Sequence, residues 1–97
     1  EGVTCGDVDF AARSYIDQAG YQGFFGHSTG HGVGLDIHES PSVSPNSDFM
    51  LHSGMVITVE PGIYVPGKCG VRIEDMVMVT KDGCVNLAAI SKDLIEL

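Results

Sequence analysis

Glycine constrains this chain more than any other residue. Gly20, Gly23, Gly26, Gly30, Gly32 and Gly34 punctuate one stretch, which rules against a helix over residues 21–38. Short extended pieces and turns are predicted there instead. Repeated glycine also lets another backbone or a ligand approach closely.

The flanks of that stretch follow two different periods. Before it, Val8, Ala11, Ala12, Tyr15, Ile16 and Ala19 recur at helical spacing, which predicts an amphipathic helix over residues 5–19. Thr4 with Asp7 three residues on makes a capping box, and Gly20 is the expected left-handed stop. No chemistry is assigned to this helix. After it, residues 39–53 hold Pro41, Pro45, Asn46, Ser47 and Ser53 and read as a loop.

From Met55 the period becomes two. Met55, Ile57 and Val59 form one face of a strand, and Val56, Thr58 and Glu60 the other. Pro61-Gly62 kinks or ends it, Ile63–Val65 continues extended, and Pro66-Gly67-Lys68 turns the chain. Val71 to Val79 alternates so that Arg72 and Glu74 share a face. Lys81-Asp82-Gly83 is a hairpin turn, Cys84–Ala89 a short last strand and Asp93–Leu97 a tail. The class is therefore α+β, one amphipathic helix followed by an antiparallel sheet. With 97 residues this is one domain at most.

The net charge of −8 argues against nucleic-acid or anionic-membrane binding. No apolar run is long enough to span a bilayer. Cys5, Cys69 and Cys84 are odd in number and lack a pairing pattern, which predicts free thiols in a reducing, cytoplasmic setting. The chain begins with Glu1, not Met, and is expected to be a piece of a longer protein.

His31, Glu60 and Glu74 stand at intervals of 29 and 14 residues. One imidazole and two carboxylates in apolar, glycine-rich surroundings suit Mn, Co, Fe or Zn. A carboxylate beside Val and Ile is expensive unless paired or metal-bound. The plainer reading is two edge-strand glutamates facing water, with Arg72 and Glu74 as a simple ion pair. His27, His31 and His38 crowd one short segment and favour a metal or acid–base site. His52 lies in a turn and is read as a bystander. His38-Glu39 lacks the second histidine of the helical zinc-protease motif, and Gly30-x-Gly32-x-Gly34 misses the dinucleotide spacing.

The runs Gly30-His31-Gly32-Val33-Gly34-Leu35, His38-Glu39, Glu60-Pro61-Gly62-Ile63-Tyr64 and Gly70-Val71-Arg72-Ile73-Glu74-Asp75 resemble the proline-specific pita-bread metallopeptidases. That group includes Xaa-Pro dipeptidase (prolidase) and Xaa-Pro aminopeptidase. The resemblance implies the C-terminal half of a pita-bread catalytic domain over residues 1–97. It implies two divalent cations, Mn or Co before Fe or Zn, held by two aspartates, a histidine and two glutamates. His31, Glu60 and Glu74 match the last three; the aspartates are expected upstream of Glu1. It further implies Glu60 as proton acceptor, His38 as oxyanion stabiliser, His27 as a substrate-positioning group and Arg72 as an orienting group, with Tyr64 behind them. The implied substrate is a peptide with proline in second position, cut by a homodimeric cytoplasmic enzyme. The piece alone is expected to be inactive and to self-associate. The rival from another class is a non-catalytic pita-bread module that binds protein.

Overall fold

A computed structural model gives the fold, with residues 2–97 described. Among them, α1 (Cys5–Ile16) is followed by a π-helical turn (Asp17–Tyr21) and seven strands: β1 (Gly30–Gly32), β2 (Glu39–Val43), β3 (Val56–Val59), β4 (Gly62–Val65), β5 (Cys69–Arg72), β6 (Asp75–Val79) and β7 (Cys84–Asn86). They form an antiparallel sheet in the order β2-β1-β3-β6-β7 and a two-stranded ribbon, β4-β5.

Helix α1 starts where the sequence places it. The Thr4 hydroxyl accepts from the Asp7 N–H at 3.0 Å, and the Asp7 carboxylate accepts from the Thr4 N–H at 2.8 Å. These bonds hold the Asp7 carboxyl below its ordinary pKa. The Cys5 and Gly6 amides, which no helical carbonyl can reach, donate to Phe49 O and Ser47 O, both at 2.9 Å. The far end differs from expectation. The α-helical turns stop at Ile16, and the chain widens into the π-helical turn before Gly20 takes φ +93°. The buried line of the helix is Cys5, Asp9 and Ile16; Ala11, Tyr15 and Ala19 are exposed. Apolar spacing missed Asp9 because its burial rests on a polar partner, described below.

The expected loop over residues 39–53 is also corrected, because it contains β2. Pairing with β1 forms this strand, with Gly30 opposite Val43 and His31 opposite Ser42. Pro41 is tolerated because β2 is an edge strand that needs no outward N–H. The glycines of β1 serve close packing: a Cβ on Gly30 would overlap the Thr58 carbonyl of β3. Cys5, Val43, Leu51, Ile57 and Val79 form the core between helix and sheet, with Val8, Met55, Val59 and Val77 packed against it. Each such buried aliphatic side chain contributes about 1.5–3 kcal/mol. Burial pushes the Cys5 thiol pKa up, consistent with an inert core residue.

The strands from Val56 to Val79 make one long hairpin with a break in its middle. Val59 pairs with Asp75 in the sheet, and Gly62 pairs with Arg72 in the ribbon. The register runs straight through, so Glu60 faces Glu74 and Pro61 faces Ile73 across the gap. The interval between the two glutamates is thus the span of a hairpin. Pro61 supplies no N–H, and only a long contact from Ile73 N to Pro61 O (3.4 Å) crosses the break.

Candidate metal centre

Donor atoms of His31, Glu60 and Glu74 lie within 4.8 Å of one another. Among the described residues this is the one cluster of three or more His, Cys, Asp or Glu side chains with such spacing. His31 comes from β1, and the glutamates come from the two sides of the hairpin break. Two carboxylates directly opposite each other on paired strands repel. A cation between them reverses the sign of that interaction.

The His31 ring is set to offer one nitrogen. Its Nδ1 lies 2.7 Å from Gly32 O, and a carbonyl only accepts, so Nδ1 carries the proton. Nε2 is left as the lone-pair atom, 3.1 Å from Glu60 Oε1. That is the tautomer a metal-binding histidine needs, fixed by the partner of its other nitrogen. Glu60 is held from several sides. The Thr58 hydroxyl donates to its Oε1 at 3.0 Å and accepts from the His31 N–H at 3.1 Å, tying two of the clustered residues to one buried oxygen. The Glu60 N–H donates to Thr29 O at 2.6 Å. Arg72 Nε stands 3.8 Å from Glu60 Oε2. Glu74 is exposed. Its neighbour Asp75 pairs with Lys92 at 3.0 Å, and that ammonium, with Asn86, holds the Asp75 carboxyl below its usual range.

His27 and His38 join the same place. His38 packs edge-to-face on His31, with ring centres 4.7 Å apart. His27 Nδ1 is 2.7 Å from Ser28 O, so Nδ1 is the protonated nitrogen and Nε2 accepts from the Tyr64 hydroxyl at 2.7 Å. A cavity of about 690 Å³ is lined by His27, His31, His38, Glu60 and Arg72, with Ser28 and Glu39 among the others. Its size suits a small ligand. Of the expected site residues only Glu74 and Tyr64 lie outside this lining; Tyr64 hydrogen-bonds His27, and a Glu74 oxygen comes within 4.8 Å of the donor atoms of His31 and Glu60. His52 stands apart, in the turn before β3.

Sequence reasoning missed three supports. In the sequence Thr58 reads only as a strand residue. Glu39 accepts from the Asp36 N–H at 2.8 Å and so shapes the turn that presents His38. Asp9 and Arg13 brace the loop before β1. Only the last pair left a signal, acid and base at i and i+4 on a helix.

The model of metallopeptidase family M24 matches residues 1–81. The chain belongs to metallopeptidase family M24. It is 49% identical over 94 residues to a Xaa-Pro dipeptidase of Pyrococcus horikoshii, covering 97% of this chain and 27% of that protein. The solved structure of a Xaa-Pro dipeptidase from Bacillus anthracis superposes with a TM-score of 0.95 at 51% identity, covering 99% of this chain and 27% of that one. An X-prolyl aminopeptidase from Caenorhabditis elegans, described as a cytosolic enzyme with a dinuclear active site, matches at 36% identity and a TM-score of 0.68. That match covers 80% of this chain and 13% of the nematode protein. The chain thus spans about a quarter of the length of the two dipeptidases. Helix followed by antiparallel sheets matches part of the family M24 pita-bread fold.

Proposed function

We propose that residues 1–97 serve as the C-terminal half of a pita-bread catalytic domain in a cytoplasmic metallopeptidase that hydrolyses Xaa-Pro bonds. The observation that carries this reading is the placement of Glu60 opposite Glu74 in a hairpin break, with the lone pair of His31 Nε2 aimed at Glu60. Nothing in a protein-binding module calls for opposed carboxylates. Two names among the relatives, Xaa-Pro dipeptidase and X-prolyl aminopeptidase, support the substrate class. The dinuclear centre named for the nematode relative supports two cations.

On this reading His31, Glu60 and Glu74 hold divalent cations, Mn or Co first, together with donors outside this chain. The fit is chemical: an all-N/O donor set with a fixed imidazole tautomer. Bound cations of this kind supply Lewis acidity to a scissile carbonyl and lower the pKa of an attacking water. Glu60 would accept a proton from the attacking water and return it to the leaving proline nitrogen. His38, in the cavity wall beside His31, donates an N–H to the carbonyl oxygen as charge develops on it. His27, fixed by Ser28 and Tyr64, positions the peptide. Arg72 stands 3.8 Å from the outer oxygen of Glu60 and orients that carboxylate. Three donors cannot hold two ions about 3.5–4 Å apart, so the 97 residues alone are expected to be inactive.

The test is Glu74→Gln in the complete enzyme. Bound Mn²⁺, counted by elemental analysis, and Xaa-Pro hydrolysis are expected to fall together while the metal-free melting temperature stays put. Normal turnover with a full metal complement would contradict the assignment.

A further inference from the structure

We infer that the Asp9–Arg13 pair is a positioning device for His27, an inference that rests on the peptidase reading of the site. Asp9 is 1% exposed, in the middle of a helix that otherwise presents apolar residues to the core. Arg13 grips it with two bonds: Nε to Oδ2 and Nη2 to Oδ1, each 2.9 Å. The same guanidinium reaches across to the loop before β1. Its Nη1 donates to Phe25 O at 2.7 Å and its Nη2 to His27 O at 3.0 Å. Its carbon lies 4.2 Å from the centre of the Phe25 ring, and that ring meets the His27 ring edge-on at 4.9 Å. Asp9 Oδ1 also accepts from the Thr29 hydroxyl at 2.8 Å, two residues beyond His27. The loop is therefore fixed at Phe25, His27 and Thr29 by one ion pair.

Adhesion alone does not account for this arrangement. Asp9 is buried and Arg13 partly so, and an ion pair taken out of water is often no more stabilising than apolar residues of similar volume. What an apolar pair cannot do is hold carbonyls 25 and 27 at fixed distance and direction while stacking on the ring between them. The planar fork of arginine does so, and a lysine in its place would supply a single point of attachment. The side chain so placed is His27, which lines the cavity and whose Nε2 accepts from the Tyr64 hydroxyl. Arg13 touches neither the clustered ligands nor the cavity floor, so it acts through His27.

The experiment compares two variants of the complete enzyme. Arg13→Lys keeps the charge beside Asp9. Asp9→Leu with Arg13→Met replaces the pair by apolar groups and keeps the helix packed. In each, KM for a Xaa-Pro dipeptide is expected to rise about tenfold while kcat changes by less than about threefold, the scale of losing a supporting contact. In spectra of ¹⁵N-histidine-labelled protein the His27 ring resonances are expected to shift while those of the remote His52 stay fixed. Folding is checked by circular dichroism. A folded variant of either kind with wild-type KM and unmoved His27 resonances would overturn the inference. If the wild-type enzyme hydrolysed no Xaa-Pro peptide, the proposed function would fall, and the His27 resonances alone would still decide this point.

Discussion

The two glutamates of the candidate centre face each other across one hairpin, yet they are held very differently. The Glu60 carboxylate is 14% exposed and meets the Thr58 hydroxyl, His31 Nε2 and Arg72. Its backbone N–H is tied to Thr29. Glu74 is exposed, and among the described residues its side chain makes no hydrogen bond or ion pair. Both residues link an interior strand of the sheet to the ribbon, so the difference comes from their neighbours. Strand β3 pairs with β1, which brings Thr29 and His31 beside Glu60, whereas β6 pairs with β3 and β7. One carboxylate is prearranged by the fold; the other is placed only by strand register. A site built this way has a fixed half and an adjustable half.

Shortening each carboxylate by one methylene tests this contrast most strongly. Glu60→Asp pulls the group out of a nest built for glutamate and is expected to lower kcat/KM by about a hundredfold, the scale of a 1 Å misplacement. Glu74→Asp, whose carboxylate has no protein partner among the described residues, is expected to lose about ten times less. Steady-state kinetics on the two variants of the complete enzyme would measure this, and equal losses would erase the distinction between the arms.

Thr58→Val is the smaller test. It removes the oxygen shared by Glu60 and the His31 amide with little change of shape. Metal affinity by calorimetry is expected to fall about tenfold. The Glu74 arm has no counterpart to remove. Unchanged affinity would mean that Glu60 is placed by its backbone alone, as Glu74 is.

Legibility in the sequence divides along similar lines. The hairpin could be read because alternation over Met55–Glu60 and Val71–Val79, with turns at Pro66-Gly67-Lys68 and Lys81-Asp82-Gly83, is local information. His31, Glu60 and Glu74 are legible as motif residues; pairing Val59 with Asp75 brings the glutamates together, and pairing Gly32 with Ile57 adds His31. Strand β2 was not legible, because a short polar segment containing Pro41 becomes a strand only through the partner it finds in β1. The buried face of the helix was misjudged for a related reason. Tyr15 looks like core and is exposed, whereas Asp9 looks like surface and is buried, because Arg13 and Thr29 satisfy its carboxylate. Side-chain pairing across the chain outranks hydropathy at such positions, and spacing along the sequence carries only a faint trace of it.

On the proposed function His31, Glu60 and Glu74 bind metal together. The most direct measurement is anomalous diffraction from crystals of the complete enzyme grown with Zn²⁺ and recorded at the zinc edge. Peaks are expected about 2.0–2.2 Å from His31 Nε2 and from carboxylate oxygens of Glu60 and Glu74. Zinc bound elsewhere, or bound beside His31 and Glu60 with Glu74 turned away to solvent, would contradict it.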